Sequence, residues 1–313
     1  MYENSLITSI RKTVISIMTV LLLCSCGGGN EEAKESLEFD PDNIYEPPAM
    51  AEVSFDKDTA KLTDEVVFDL AHTSEGYFSV SVKSDKKLKM RVLFTDSEEH
   101  YDYDLDNDGT VCYYPLQMGS GSYSLIVYKN IEGTKYAALD YRNTDVTLAD
   151  EFQPFIRPTY YIRYSSDSDC VRKAYELTRT ASSVTQFIRN VYDFVCKTVR
   201  YDKKKAENLP SIYAPDPDET MNSGKGICFD YAALAAAMLR SQGVPCKLIM
   251  GNVSPNDLYH AWNMFYTEET GWITVKFEVS PNSWTRLDLT FSANGEDDEF
   301  IGNGENYTDM KEY

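Results

Sequence analysis

Residues 224–239 read GKGICFDYAALAAAML, and the architecture of the C-terminal half of the chain follows from this segment. Its alanine-rich part predicts a helix that begins beside the cysteine, because alanine has the highest helix propensity. At a helix N-terminus, the macrodipole and the free N–H groups stabilise a thiolate. Cys228 is therefore a candidate nucleophile, and Gly226 leaves room for a substrate backbone. The alternative is a buried core cysteine, the usual role of a cysteine on an apolar helix.

A thiol nucleophile needs a base, and histidine is the usual one. The chain contains three histidines, His72, His100 and His260. The first two fall in a region of strand-like alternation and are interpreted as surface residues. His260 begins the segment HAWN at 260–263, a predicted strand in the same half of the chain as Cys228. Elimination therefore makes His260 the candidate base.

The base in turn needs an acceptor that orients the imidazole and supports its charged form. Asp288 lies in a predicted strand after the next turn, and neighbouring antiparallel strands can place an aspartate beside a histidine. Asp257 and Glu278 are near enough in sequence to compete. Spacing alone favours Asp288 only slightly over these two.

Three separated segments resemble the transglutaminase-like superfamily. They are GICFDYA at 226–232, HAW at 260–262, and Trp284 followed by LDLT at 287–290. That superfamily shows a glycine-x-cysteine that opens a helix, then a histidine-alanine-tryptophan strand. A strand with tryptophan-x-x-hydrophobic-aspartate-x-threonine follows. The resemblance covers approximately residues 160–292, and the three motifs agree with the family in order and spacing.

This resemblance implies a papain-like α+β fold that carries a catalytic triad. Cys228 matches the nucleophile, His260 the base, and Asp288 the residue that orients the base. The departures from the family pattern are Met264, where many members have a polar residue, and Leu289, which replaces a frequent proline. Neither departure removes a catalytic group.

Further site residues are expected around the cysteine. The backbone N–H of Cys228 is the expected oxyanion donor. Tyr201, Gly226 and Trp262 are candidate oxyanion or substrate contacts, with packing beside the site as the alternative for Trp262. We expect no cofactor and no metal, because no acidic cluster within residues 160–292 has the spacing of metal ligands.

The first residues of the chain predict export and lipid attachment. Two basic residues precede an apolar run at 13–23 that is too short to span a bilayer. The run ends in LCSCG at 23–27, which resembles the lipobox of bacterial lipoproteins. In that family the leader, here residues 1–25, is removed and the following cysteine, here Cys26, is acylated. The alternative is an ordinary signal peptide in which Cys26 has no role.

The segment that follows Cys26 predicts a spacer between the membrane and the folded part. Residues 26–49 are rich in glycine, acidic residues and proline, and they lack apolar periodicity. Such a composition is typical of a flexible tether. We therefore expect an extracytoplasmic protein that is held on the bacterial cell envelope by its lipid.

Residues 50–153 predict a β-sandwich-like domain. Apolar residues alternate within 78–82, 88–94 and 123–127, and turn signals such as Gly119-Ser120-Gly121 separate the predicted strands. Several short strands with regular turns and no helical stretch are typical of a sandwich.

One segment of this region matches the start of a calcium-binding loop. Residues 104–109 read DLDNDG, but the glutamate expected at the twelfth position of such a loop is replaced by Pro115. Strand-like residues flank the segment on both sides. A hairpin turn is therefore the preferred interpretation, with calcium binding as the alternative.

Residues 154–293 predict the α+β catalytic domain. Helical spacing marks 167–178 and 184–195, and Ser182 or Ser183 is the expected N-cap of the second helix. Predicted strands follow the alanine-rich helix, at 247–250, 260–266, 272–277 and 284–289. The acidic residues 294–313 are expected to be a frayed tail.

Charge and cysteine content narrow the function classes. Fifty acidic residues against 30 basic ones give a net charge of -20, which excludes an electrostatic surface for nucleic acid or anionic lipid. Cys112, Cys170, Cys196 and Cys246 could form at most two disulfides. Their spacing indicates neither a disulfide framework nor a zinc site.

These features predict a monomeric cysteine enzyme that acts on peptide or carboxamide bonds through a thioester. Its substrate would be a protein or a peptide, with cell-wall peptide as one option. Hydrolysis is favoured over amine cross-linking, because an exposed site meets water at a far higher concentration than any amine. The alternative from another class is a non-catalytic lipoprotein whose tyrosine-rich region 77–141 binds glycans or peptides.

Overall fold

The computed structural model describes residues 39–62, 65–210, 212–253, 258–268, 271–274, 276–277, 284–286 and 307–313. An all-β part comes first along the chain, and a part that mixes helices and strands follows it. This order confirms the predicted class, an α+β domain preceded by a β-sandwich-like region.

The all-β part consists of two antiparallel sheets. Its strands are β1 (Lys61–Leu62), β2 (Val66–Asp69), β3 (Tyr77–Lys83), β4 (Leu88–Phe94), β5 (His100–Leu105), β6 (Asp108–Pro115), β7 (Gly121–Glu132) and β8 (Lys135–Val146). One sheet has the order β1-β2-β3-β6 and the other the order β5-β4-β7-β8. Alternate residues of these strands, such as Val80, Met90 and Leu125, are fully buried, as their sequence periodicity predicts.

The segment at 104–109 is not the hairpin that its sequence suggested. β5 pairs with β4, whereas β6 pairs with β3, so the chain crosses here from one sheet to the other. Both strands bury apolar side chains in the same core, and Tyr114 donates a hydrogen bond of 2.9 Å to the carbonyl oxygen of Asp104. Asp106 accepts from Tyr160 at 3.2 Å and pairs with Arg163 at 3.3 Å. The turn therefore ties the sandwich to the chain that follows it.

The predicted tether is wrong from residue 39 onward, while residues 26–38 lie outside the described part of the chain. The N–H of Tyr45 donates to the carbonyl oxygen of Ala181 at 2.7 Å, and its ring stacks on Phe187 at 5.6 Å between centroids. Pro48 fills the space beside Gly243, where a Cβ would overlap it. Single apolar side chains without periodicity thus fix this segment to the helical part.

The second part begins with helices and two very short strands. In chain order these elements are α1 (Asp169–Thr178), α2 (Val184–Thr198), β9 (Arg200–Tyr201), α3 (Lys203–Glu207), α4 (Pro217–Ser223), β10 (Lys225–Gly226) and α5 (Cys228–Arg240). Ser183 caps α2, because its hydroxyl accepts from the N–H of Gln186 at 3.2 Å. The alanine-rich helix α5 is almost entirely buried. Its small side chains allow neighbouring elements to pack closely around it.

An antiparallel sheet packs beside α5. Its strands and the short pair after it are β11 (Cys246–Val253), β12 (Leu258–Thr267), β13 (Gly271–Thr274), β14 (Lys276–Phe277), β15 (Trp284–Arg286) and β16 (Tyr307–Glu312). The order in the sheet is β13-β12-β11-β16, and β14 pairs with β15. The predicted strands at 247–250 and 260–266 lie within β11 and β12.

The last seven residues are not frayed, which corrects the expectation for 294–313. β16 pairs with β11 along its whole length, and Tyr313 is buried among Tyr101, Tyr103 and Tyr161. The fully buried guanidinium of Arg240 donates to the carbonyl oxygen of Tyr313 at 2.9 Å. These contacts come from distant parts of the chain, so the acidic local composition gives no sign of them.

Two further facts bear on the expectations from sequence. Among the described residues, no helix is long and apolar enough to cross a membrane. The cysteines of this part are all free thiols and form no disulfide: Cys112, Cys170, Cys196, Cys228 and Cys246.

Candidate functional site

Cys228 is the first residue of α5, as the sequence predicts. Its side chain is half-buried, and the backbone changes from extended at Ile227 to helical at Cys228. Gly224, with φ +63°, ends the preceding helix α4 in the left-handed conformation that glycine adopts without strain. The chain therefore turns sharply from α4 into α5, and the turn presents the thiol at a helix N-terminus.

The other described cysteines lie in environments that do not favour a thiolate. Burial raises the pKa of Cys112 and Cys246 to about 12, and it raises the pKa of Cys170 as well. Cys196 is half-buried but lies near the C-terminus of α2, where the helix dipole disfavours an anion. Cys228 is thus the described cysteine whose surroundings best suit a nucleophile.

Gly226 and Tyr201 lie beside Cys228, as expected for site residues. β9 and β10 pair in parallel, with Gly226 opposite Tyr201. The N–H of Asp202 donates to the carbonyl oxygen of Gly226 at 2.9 Å. Burial first, and the nearby Cys228 second, raise the pKa of Tyr201. The phenol of Tyr201 is therefore close enough to Cys228 to interact with its charge.

Asp230 fixes the turn that carries Cys228, a role that the sequence analysis did not assign. Its carboxylate is fully buried and accepts a hydrogen bond from the N–H of Ile227 at 2.8 Å. It also accepts from the hydroxyl of Tyr213 and forms an ion pair of 2.7 Å with Lys205. Each carboxylate oxygen thus has a strong donor, which a buried charge requires.

The same carboxylate explains why position 226 is glycine. A Cβ on Gly226 would lie 2.7 Å from the Cβ of Asp230, which is closer than two carbon atoms can approach. The glycine therefore serves the packing of the turn as well as the access of a substrate. An acidic residue at the third position of a helix is the pattern of a capping box, and this pattern could have revealed Asp230. No local pattern points to Lys205 or Tyr213.

His260 and Trp262 lie on β12. His260 pairs with Gly251 and Trp262 pairs with Ile249 on the neighbouring strand β11. Because side chains alternate along a strand, both rings project from one face of the sheet, and their centroids are 6.4 Å apart. Trp262 packs against Ile249 and Val253, in a cluster separate from the main core. This supports the packing alternative for Trp262.

The opposite face of β12 meets α5. Asn263 projects from it and donates from its side-chain nitrogen to the carbonyl oxygen of Ala232 at 3.0 Å. Tyr259 lies on this face too, and burial followed by the nearby Cys228 raises the pKa of its phenol. Tyr259, the residue before His260 in the chain, is therefore close to Cys228. The ring of His260 itself shares the face of Trp262.

The structure thus brings together three of the predicted site residues, Cys228, Gly226 and Tyr201, and it adds Tyr259 and Asp230. It does not place the His260 ring on the face of β12 that packs against α5. Four predicted or competing residues lie outside the described part of the chain: Cys26, Asp257, Glu278 and Asp288. Within the described ranges, no three His, Cys, Asp or Glu side chains cluster as metal ligands do.

One comparison with known proteins assigns this part of the chain to a family. Residues 171–277 match the family model described as the transglutaminase-like superfamily. Solved structures with some similarity to this chain include one described as a putative cysteine protease from Cytophaga hutchinsonii. The two sequences are 13% identical, and the similar region covers 76% of this chain and 83% of the other chain, with a TM-score of 0.39. No curated protein sequence matches the chain.

Two other solved structures are similar at a comparable level. The periplasmic domain of TgpA from Pseudomonas aeruginosa is 13% identical in sequence. The similar region covers 89% of this chain and 98% of the TgpA chain, with a TM-score of 0.33. Red sea bream transglutaminase is 12% identical in sequence. The similar region covers 68% of this chain and 48% of the transglutaminase chain, with a TM-score of 0.28. No conclusion about substrate follows from similarities this low. Residues 171–277 of this chain, which include both Cys228 and His260, form a transglutaminase-like domain.

Proposed function

We propose that this protein is an extracytoplasmic cysteine enzyme that hydrolyses peptide or carboxamide bonds through a thioester intermediate. The observation that carries the proposal is the position of Cys228, half-buried at the first residue of α5 in a transglutaminase-like domain. Tyr201 and Gly226 beside it fit a site in which a carbonyl group meets the thiol.

Acylation is the first step of the proposed mechanism. The sulfur of Cys228 attacks the carbonyl carbon, so a C–S bond forms while the C–N bond of the substrate breaks. The thiol proton passes to His260, whose ring must reach the face of β12 that packs against α5 for this step, and His260 then delivers the proton to the departing amine or ammonia. The backbone N–H of Cys228, free at the helix N-terminus, is proposed to stabilise the oxyanion. Asp288 is the proposed partner that orients His260.

Deacylation resolves the thioester. Water attacks its carbonyl carbon while His260 accepts a proton, a C–O bond forms, and the C–S bond breaks to return the thiol and release a carboxylate. An amine in place of water would give a cross-linked product by the same steps. Hydrolysis is favoured because Cys228 is partly open to solvent, and water is far more concentrated than any amine.

The place of action is part of the proposal. The lipobox-like segment 23–27 supports removal of residues 1–25 and acylation of Cys26. A multiply acylated cysteine holds a protein on a membrane far more firmly than a single chain does. The catalytic domain would then meet its protein or peptide substrate at the cell envelope.

Mass spectrometry of a peptide and cell-wall fragment pool tests the proposal. The pool is incubated with the wild-type protein and with the Cys228→Ala variant. Hydrolysis predicts new carboxyl termini, or amides converted to acids, only with the wild type. Cross-linked products would correct the reaction to amine transfer. No Cys228-dependent change in any fraction would contradict an enzymatic role.

A further inference from the structure

A cleft of about 440 Å³ runs along the outer face of the sheet β5-β4-β7-β8. Its floor consists of outward-facing residues that lie side by side across the strands, among them Asp104 on β5, Lys89 on β4 and Tyr128 on β7. Ile212, from the loop between α3 and α4, also lines the cleft. The cleft is therefore formed by the sandwich together with the catalytic domain.

The charges in this cleft differ from those of the whole chain. Arg91 forms two hydrogen bonds with Asp102, at 2.6 and 2.7 Å, so these two charges neutralise each other. Lys87 and Lys89 then face the single carboxylate of Asp104, and in the described part of the chain neither ammonium lies within 4.0 Å of a carboxylate. The cleft carries a positive excess in a chain whose net charge is -20.

Apolar and aromatic surfaces accompany these charges. Lys89 lies 5.5 Å from the ring centre of Tyr136, and Arg91 lies 5.7 Å from that of Tyr128. Ile212 is 38% exposed in the same cleft and adds an aliphatic surface to these rings. Exposed ammonium groups beside apolar surface suit a ligand that alternates carboxylates with apolar side chains.

The wall of the cleft is connected directly to the nucleophile turn. Tyr213 follows Ile212, donates its hydroxyl proton to Asp230 and lies 6.2 Å from the ring centre of Phe229. Phe229 and Asp230 are the two residues after Cys228. Ile212 on the cleft wall is therefore linked through Tyr213 to the turn that carries Cys228.

We propose that this cleft binds an acidic, extended segment of the peptide or protein substrate and thereby directs the adjoining bond to Cys228. The inference rests on the proposed function and assigns a substrate class to it. Long-range repulsion by the acidic chain does not prevent such binding, because at physiological salt charges are screened over about 8 Å. The two lysines within the cleft then act on the ligand more strongly than distant carboxylates do.

Fluorescence anisotropy on the full-length Cys228→Ala protein tests this assignment. The probes are labelled peptides of equal length in which apolar residues alternate with glutamate, glutamine or lysine. We expect the glutamate peptide to bind best and its affinity to fall as salt is added. The double change Lys87→Glu and Lys89→Glu should weaken binding by about tenfold, and the changes to Gln by less. Lys197→Glu, a single charge reversal of the same kind on α2 outside the cleft, is the control, and it is compared with Lys87→Glu and Lys89→Glu made one at a time.

Several outcomes would overturn the assignment. Equal binding of the three peptides, or an equal loss of affinity in the Lys197→Glu control, would show that the cleft does not distinguish peptides by their charge. Binding of an acidic glycan such as oligogalacturonate, without binding of the glutamate peptide, would show that the ligand of the cleft is a glycan and not a peptide. Alkylation of Cys228 by iodoacetamide in the wild type is measured alongside. A reactive thiol without peptide binding refutes only the cleft, whereas peptide binding with an inert thiol refutes only the enzymatic function.

Discussion

The turn from Gly226 to Asp230 and the strand β12 carry the two halves of the proposed chemistry, and different contacts hold them. The turn is fixed by the carboxylate of Asp230. It accepts a hydrogen bond of 2.8 Å from the N–H of Ile227, forms an ion pair with Lys205 and accepts a hydrogen bond from Tyr213. β12 is fixed by its pairing with β11 and β13 and by a hydrogen bond from Asn263 to α5. The position of Cys228 is therefore set by the contacts of one buried carboxylate, and that of His260 by the register of a sheet.

This difference has a functional consequence. A shift of one residue in strand pairing moves every side chain to the other face of the sheet. With His260 opposite Gly251, the imidazole shares the face of Trp262, while Tyr259 and Asn263 share the face that meets α5. The proposed activation of Cys228 by His260 thus depends on how β12 meets the helix, whereas the exposure of the thiol does not.

The largest effect is expected for the nucleophile itself. Cys228→Ala should lower substrate turnover on the order of a thousandfold or more, because the proposed thioester forms on the sulfur of Cys228. The measurement is turnover of a substrate from the mass-spectrometric screen. Cys196→Ala, which removes the other half-buried thiol, should leave turnover unchanged. Equal activity of wild type and Cys228→Ala would contradict the assignment of the nucleophile.

The next effect separates the two regions. His260→Ala should lower kcat on the order of a hundredfold, which is the usual contribution of a general base. His100→Ala in the sandwich is the matched control, because that histidine is exposed and far along the chain. If both variants keep wild-type turnover, the His260 ring stays on the face of β12 that it shares with Trp262 and does not act on Cys228. The base must then be another group.

A smaller loss is expected when the turn is loosened. Asp230→Asn removes the ion pair with Lys205, which is itself partly exposed. We expect the free energy of unfolding to fall by about 1–2 kcal/mol. kcat should fall by about tenfold with little change in KM, because the thiol is displaced and substrate binding is not. Glu219→Gln on the exposed face of α4 is the control, and a change in KM alone would argue against a positioning role.

The smallest effect concerns the contact between β12 and α5. Asn263→Ala removes the donor to the buried carbonyl oxygen of Ala232 and should lower the free energy of unfolding by about 1 kcal/mol. Chemical denaturation measures the change, with Asn222→Ala on the surface as the comparison. No difference between the two variants would mean that strand pairing alone holds β12 in place.

The sequence predicts elements that depend on local chemistry. Alanine content and the glycine-rich turn place Cys228 at the start of α5, and alternation identifies the sandwich strands. Serine before an apolar periodic segment predicts that α2 starts after Ser182 or Ser183, and the structure shows Ser183 as the cap. Each of these features follows from propensity, capping or periodicity within a few residues.

Features that depend on distant partners could not be predicted in this way. Alternation shows that β5 and β6 each bury one face, but it does not show that they belong to different sheets. β16 contributes Tyr313 to the core from a polar segment. Lys205 finds Asp230 only when α3 packs beside the turn. In each case the contact that decides the structure joins residues far apart in the chain.

The most direct test of the central claim is the rate at which iodoacetamide alkylates Cys228 at neutral pH, followed by mass spectrometry in the wild type and in His260→Ala. Cys112 and Cys246 do not compete, because burial raises the pKa of each to about 12 and they remain protonated. We predict that Cys228 reacts faster than a model thiol such as glutathione and that the His260→Ala variant loses this advantage. A rate equal to that of the model thiol, unchanged by His260→Ala, would contradict a histidine-activated nucleophile at this site.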